Sequence, residues 1–76
     1  MWMDRKHLAG FKEFLIGEGE TLLEPHGEYE VMRWKVAPGF PMPIIYRSTK
    51  RSSLTVGKAA ERYVAEYLKW VGELGY

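Results

Sequence analysis

The C-terminal segment carries the pattern that most constrains the fold. With a rotation of about 100° per residue, its apolar residues fall on one contiguous side of a helix and its charged residues on the other. The apolar side comprises Ala60, Tyr63, Val64, Tyr67, Leu68, Val71 and Leu74, and the charged side comprises Lys58, Glu61, Arg62, Glu66, Lys69 and Glu73. This pattern predicts an amphipathic helix that docks on a core, with the Thr55 hydroxyl as its N-cap.

A second helix is predicted near the N-terminus, over residues 4–16. Asp4 is a suitable N-cap, and Gly17 is a suitable C-terminal stop. Between them the apolar residues recur at helical spacing, at Leu8, Phe11 and Leu15.

Three segments between the helices have the pattern of β-strands. Residues 28–36 alternate in polarity, and residues 44–48 and 52–56 are short β-prone runs separated by a polar turn. In the first strand, one side is predicted to carry Glu30, Met32, Trp34 and Val36. The order α-β-β-β-α predicts a single α+β domain over residues 1–76, with a three-stranded antiparallel sheet and both helices packed on one face.

The composition excludes several classes of protein. The chain has 76 residues and no cysteine, so disulfides and thiolate metal sites are excluded, and its two histidines lie nineteen residues apart, so we expect no metal and no cofactor. The longest uncharged apolar stretch, residues 36–46, is broken by three prolines and is too short to span a bilayer. Since no signal-peptide pattern is present, we expect a cytoplasmic protein without membrane contact.

The net charge of +1 hides a strong asymmetry along the chain. Residues 1–30 hold seven acids against three bases, whereas residues 31–60 hold six bases and no acid. The candidate phosphate-binding residues are Arg47, Lys50, Arg51, Lys58 and Arg62, and Arg33 and Lys35 would extend the patch if their strand face is open. They predict a non-enzymatic nucleic-acid-binding or regulatory module for RNA or DNA. The alternative interpretation is an ordinary solvated helix face beside a charged turn that protects an edge strand.

Two further features suggest other functions. Phe40 and Met42 lie in a loop rich in proline, where they either form a contact surface for a partner protein or fold back as a lid on the sheet. His26 is a weak candidate for a catalytic general base, with Glu28 and Glu30 close behind it, and its alternative interpretation is a polar turn residue between Pro25 and Gly27. The sequence leaves open whether the protein is a monomer or a homodimer.

The α-β-β-β-α order, with a basic segment entering the last helix, resembles the double-stranded-RNA-binding (dsRBD) fold and, more closely, the HicA-type mRNA interferase toxins. The segment "HGEYEV" stands at the first-strand position and "KRSSLTVGKAAERYV" at the entry to the last helix. This resemblance implies RNA binding or a HicA-like ribonuclease, although the toxins' catalytic histidine follows the glycine and His26 here precedes Gly27. The pattern "GEYEVMRWK … IIYR … LTV" also resembles short uncharacterised phage and prophage proteins, which implies an adaptor or inhibitor that binds a host protein.

Overall fold

The computed structural model describes residues 1–73, with side chains described up to Gly72. Seven elements follow one another: β1 (Trp2–Asp4), α1 (Leu8–Gly17), β2 (Leu22–Leu23), β3 (Glu30–Trp34), β4 (Ile44–Arg47), β5 (Ser53–Val56) and α2 (Glu61–Glu73). Single 3-10 turns at Arg5–His7 and Lys58–Ala60 lead into the two helices. The predicted places of Leu74 and of the Glu73 side chain on α2 lie outside the described residues.

The sheet is antiparallel and open, with the strand order β1-β5-β4-β3-β2. The α+β class with two helices is therefore confirmed, but the predicted count of three strands is wrong, because β1 and β2 add an edge strand on each side. These edges have three and two residues, so neither is long enough to display an alternating pattern. Strand β1 pairs with β5 and places the first helix beside the last strand.

Both helices cover the same face of the sheet. The buried Trp34 ring on β3 meets Phe11 of α1 edge-on at a centroid distance of 5.5 Å and Tyr63 of α2 at 5.3 Å. The buried core contains residues from the predicted helix faces together with residues of β1, β3, β4 and β5, and it comprises Met3, Phe11, Leu15, Met32, Trp34, Ile45, Leu54, Val56, Ala60, Val64, Tyr67 and Val71. Within the described residues, no helix is long and apolar enough to cross a membrane.

A β-bulge in β3 changes the side on which one predicted residue lies. Glu30 pairs with Tyr46, whereas Met32 pairs with Ile45, so the register shifts at Val31. Because paired residues share a face of the sheet, Glu30 lies on the open face with Tyr46 and not on the helix-covered face with Met32. The predicted side for Glu30 is therefore wrong.

The two predicted N-caps have different outcomes. Asp4 accepts a hydrogen bond from the Lys6 amide at 2.9 Å, so the first cap is confirmed on the 3-10 turn that leads into α1. Thr55 is wrong as the second cap, because it is an exposed residue of β5 paired with both Trp2 and Tyr46. The cap position belongs to Gly57, which has no side chain to accept from the free amides.

Candidate nucleic-acid interface

The loop between β3 and β4 presents an aromatic ring to solvent. Pro38, Pro41 and Pro43 restrict its backbone, and Gly39 supplies the one left-handed turn conformation, with φ of +91°. The Phe40 amide donates to the Ala37 carbonyl at 3.2 Å, which closes the turn. Phe40 is 65% exposed, so its ring is held out by the loop and does not form a lid on the sheet.

The loop places Phe40 beside the start of α2. Two adjoining depressions, of about 390 and 380 Å³, share Phe40, Arg62 and Tyr63. Lys35 lines the first depression and Lys58 lines the second. We call these five residues together the notch; they combine two aromatic rings with three cations.

Arg62 is held in the notch by its neighbour on the helix. Its Nη2 donates to the Tyr63 hydroxyl at 3.1 Å, and its guanidinium carbon lies 4.9 Å from the centre of the Tyr63 ring. The hydrogen bond to the Tyr63 hydroxyl raises the pKa of Arg62, so the guanidinium stays charged. Because Tyr63 itself packs on the buried Trp34, this cation has a defined place, and its hydrogen bond to Tyr63 uses one of the five N–H donors of a guanidinium.

Two acids also reach the notch. Glu20 lines the first depression and Glu61 the second, and Glu61 Oε2 lies 3.5 Å from the Met1 amino nitrogen. The lining of the notch therefore has three cations, Lys35, Lys58 and Arg62, and these two acids, and Glu66 on α2 also acts on the charge of Arg62. The amides that begin the turn at Lys58 add a partial positive charge, since Gly57 cannot cap them.

The other three candidate cations form a separate group, the hairpin group, which comprises Arg47, Lys50 and Arg51. Arg47 ends β4, and Lys50 and Arg51 lie in the turn that follows it. All three are exposed, and Arg5 joins them because its Nε donates to the Arg51 carbonyl at 2.8 Å. The charge asymmetry of the sequence gave no sign of Arg5, which reaches the turn through the pairing of β1 with β5.

The hairpin group and the notch lie at opposite ends of β5. The hairpin turn precedes Ser53 and the notch begins after Val56, so the chain runs about 17 Å between Ser52 and Gly57 at the rise of an extended strand. The five candidate phosphate contacts therefore fall into two groups, with Lys58 and Arg62 in the notch and the other three toward the opposite end of β5. Lys58 and Arg62 share the notch with Phe40, which the sequence interpretation had assigned to a different function.

His26 is exposed and lies at the turn before Gly27, a position that both of its interpretations expected. Its backbone amide donates to Glu30 Oε1 at 2.9 Å, and Arg33 donates to both Glu30 oxygens at 2.7 Å. The hydrogen bonds from Arg33, followed by that from the His26 amide, lower the pKa of Glu30 to about 2 from its ordinary value of 4.5. Glu30 is therefore a poor base, and its hydrogen bonds hold the turn together.

Metal binding has no group to support it in the described part of the chain. Among residues 1–72, no three His, Asp or Glu side chains come together in a way that could hold an ion.

Met42, the second residue assigned to protein contact, is 38% exposed and lies next to the notch in the chain without lining it.

The fold and the notch define a small α+β protein with an open five-stranded antiparallel sheet and a basic, aromatic concavity at one end. Comparison with known protein families, with curated proteins and with solved structures finds no match to this chain. The resemblances to the dsRBD fold, to the HicA toxins and to phage proteins therefore stay predictions.

Proposed function

We propose that this protein is a small non-enzymatic nucleic-acid-binding module that holds a single-stranded segment of RNA or DNA in the notch. The observation that carries this proposal is the exposed Phe40 ring in the same concavity as Lys58 and Arg62. Proteins that bind single strands combine an aromatic ring, on which a base stacks, with cations that hold the backbone phosphates. The notch supplies both parts on rigid elements.

The preference for a single strand follows from Phe40. A ring can stack on the face of a base only where that base is unpaired and splayed out, so a duplex leaves this part of the notch unused. Lys58 and Arg62 then act on the phosphates beside the stacked base, with the uncapped amides ahead of α2 as further donors.

The hairpin group has a different role in this proposal. The turn that carries Lys50 and Arg51 lies about 17 Å from the start of the notch along β5, and Arg47, which pairs with Leu54, lies about 10 Å from it. Arg47, Lys50 and Arg51 therefore add non-specific attraction for a longer strand, and the affinity for a short oligonucleotide depends on the notch.

Fluorescence anisotropy of a labelled single-stranded oligonucleotide tests the proposal. Loss of one stacked base costs about 1–3 kcal/mol, so Phe40→Ala should weaken binding roughly 5- to 150-fold by the usual conversion of free energy. The double charge reversal Lys58→Glu with Arg62→Glu should abolish binding. With one phosphate contact from each of the notch cations Lys35, Lys58 and Arg62, the slope of log affinity against log salt should be about −2 for a single strand.

The matched control is the double charge reversal Lys50→Glu with Arg51→Glu, which changes the net charge equally at the other end of β5. It should weaken the binding of a short oligonucleotide far less than the reversal at the notch. Equal losses from both reversals would show that binding follows net charge and not the notch. Binding that ignores salt, or no binding by the unaltered protein, would refute the proposal.

A protein partner is the second candidate for the same loop. The exposure of Phe40 and Met42 on a loop with three prolines favours it, because aromatic residues and methionine are enriched in protein–protein interfaces. An adaptor or inhibitor of this kind should lose its partner on Phe40→Ala and on Met42→Ala, but should keep it when Lys58 and Arg62 are reversed in charge. The two candidates thus differ in which substitution matters.

A further inference from the structure

A second concavity, between α1 and α2, has the opposite charge. It has a volume of about 500 Å³, and none of its described lining residues is a lysine or an arginine. Glu13 and Glu18 lie on its α1 side. We call this concavity the helix groove.

Two glycines of α1 line the helix groove. Gly10 and Gly17 are seven residues apart, so they lie on the same side of the helix. A Cβ at Gly10 would stand 2.5 Å from the Tyr67 hydroxyl oxygen, which shows how closely α2 approaches the α1 backbone there. A Cβ at Gly17 would meet no atom within 4 Å, so the groove is open above it.

An aromatic cluster from both helices lines the helix groove. Phe14 of α1 and Tyr67 and Trp70 of α2 contact one another, with ring centroids 5.6 to 6.3 Å apart. Tyr67 is only 5% exposed, whereas Trp70 is 47% exposed. The cluster therefore presents the Trp70 ring to whatever enters the groove.

Two carboxylates, Glu13 and Glu18, and one imidazole, His7, are the ionisable groups other than Tyr67 among the described lining residues of the helix groove. Glu13 and Glu18 are exposed, and neither forms an ion pair with any of the described residues. Glu18 follows the last residue of α1, where the backbone carbonyls add a partial negative charge of their own. An anion, such as the nucleic acid proposed for the notch, is repelled here.

We propose that the helix groove binds an arginine side chain presented by a partner protein. A guanidinium is planar, stacks on an aromatic ring and pairs with carboxylates through its N–H donors, and the groove offers Trp70 for stacking beside Glu13 and Glu18. This charge complementarity selects a basic partner segment over a neutral or acidic one. The site is independent of the notch.

The test follows the indole N–H signals of the isotope-labelled full chain during titration with acetyl-Gly-Arg-Gly-amide. The Trp70 signal should shift, while those of Trp2 and the buried Trp34 should not. The same peptide with citrulline keeps the shape and loses the charge, and it should bind about five- to tenfold more weakly, because it loses both the ion pairs and the cation–π contact.

Two kinds of variant locate the site. Gly17→Leu fills the groove at a position where no atom obstructs the new side chain, and it should abolish the Trp70 shift; Gly72→Leu, also on a helix and also unobstructed, should leave it unchanged. Glu13→Gln and Glu18→Gln should each weaken binding two- to fivefold. Equal binding of the arginine and citrulline peptides, a Trp70 shift that survives in Gly17→Leu, or no Trp70 shift at all would overturn the proposal.

Discussion

Gly57, at the junction between β5 and the turn that carries Lys58, should be intolerant of even one methyl group. Its backbone is extended, with φ of −61° and ψ of 151°, which alanine adopts without strain. A Cβ there, however, would stand 2.7 Å from the Ile44 carbonyl oxygen and 3.3 Å from a ring carbon of Tyr46. The requirement for glycine therefore comes from close contact and not from backbone conformation.

The expected loss follows from the contacts that must give way. The Ile44 oxygen is backbone on β4 and accepts a hydrogen bond from the Gly57 amide at 2.9 Å, so it cannot move without weakening that bond. Overpacking of this kind costs about 1–3 kcal/mol and a weakened hydrogen bond about 1 kcal/mol, whereas alanine returns about 0.4–1 kcal/mol by restricting the unfolded chain. The balance is a loss of about 2 kcal/mol, or a fall in Tm of about 8–16 °C for a chain of this length.

Thermal unfolding followed by circular dichroism measures this loss. The matched control is Gly72→Ala, because a Cβ at that helical position meets no atom within 4 Å. It should keep or raise the Tm, since alanine is favoured over glycine within a helix by up to about 1 kcal/mol. If Gly57→Ala unfolds at the temperature of the unaltered protein, the close packing of this junction, and with it the fixed position of Lys58, is refuted.

The remaining predictions concern two polar contacts. Because its bonds to Arg33 lower the pKa of Glu30 to about 2, Glu30 stabilises the fold above the unfolded pKa of 4.5, and this contribution is lost as the pH falls towards 2. Glu30→Gln should therefore reduce the fall in unfolding free energy between pH 4.5 and pH 2. The control Glu28→Gln, on the exposed turn nearby, should keep the pH dependence of the unaltered protein. The same pH dependence in all three proteins would contradict a stabilising role for ionised Glu30. Asp4→Ala should cost about 1 kcal/mol in urea unfolding by removing the cap on the Lys6 amide, and Asp4→Asn should lose less than half of that, because its side-chain oxygen still accepts; equal losses would indicate that the cap is not the cause.

The helix faces were predictable because their signal is local. On α2, the predicted apolar residues up to Val71 are all buried or half-buried, since the 3.6-residue period alone decides which side meets the sheet. The buried side of the first helix was predictable from the same helical spacing, and its residues Phe11 and Leu15 are fully buried. These elements need no knowledge of the rest of the chain.

The sheet was less predictable because its edges depend on partners. Met3 is fully buried only because β1 pairs with β5, more than fifty residues further along the chain. The bulge in β3 depends on β4 in the same way, since the offset appears only when Glu30 is matched with Tyr46. The alternation of polar and apolar residues within one segment predicts neither the burial of Met3 nor the bulge in β3.

The sequence predicted the individual residues of the candidate site, but it did not predict which of them lie together in the fold. Phe40 and Arg62 were both singled out, yet twenty-two residues and two strands separate them, and their meeting depends on how the β3–β4 loop folds beside α2. Conversely, Lys58 lies close to Arg51 in the sequence, and β5 carries the two apart. An extended strand advances about 3.3 Å per residue, so residues only a few positions apart in the sequence lie far apart in space.

The charges near two helix ends favour binding over stability. Lys58 lies where α2 begins and Glu18 lies where α1 ends, so each has the same sign as the partial charge of its helix terminus. Each of these side chains lowers the stability of the fold by about 0.3–1 kcal/mol. Lys58 lines the notch and Glu18 lines the helix groove. In each concavity the side chain and the helix terminus have the same sign and together attract a ligand of opposite charge. The charge reversal Lys58→Glu should therefore remove nucleic-acid binding while the protein keeps or gains stability, which separates a loss of the site from a loss of the fold.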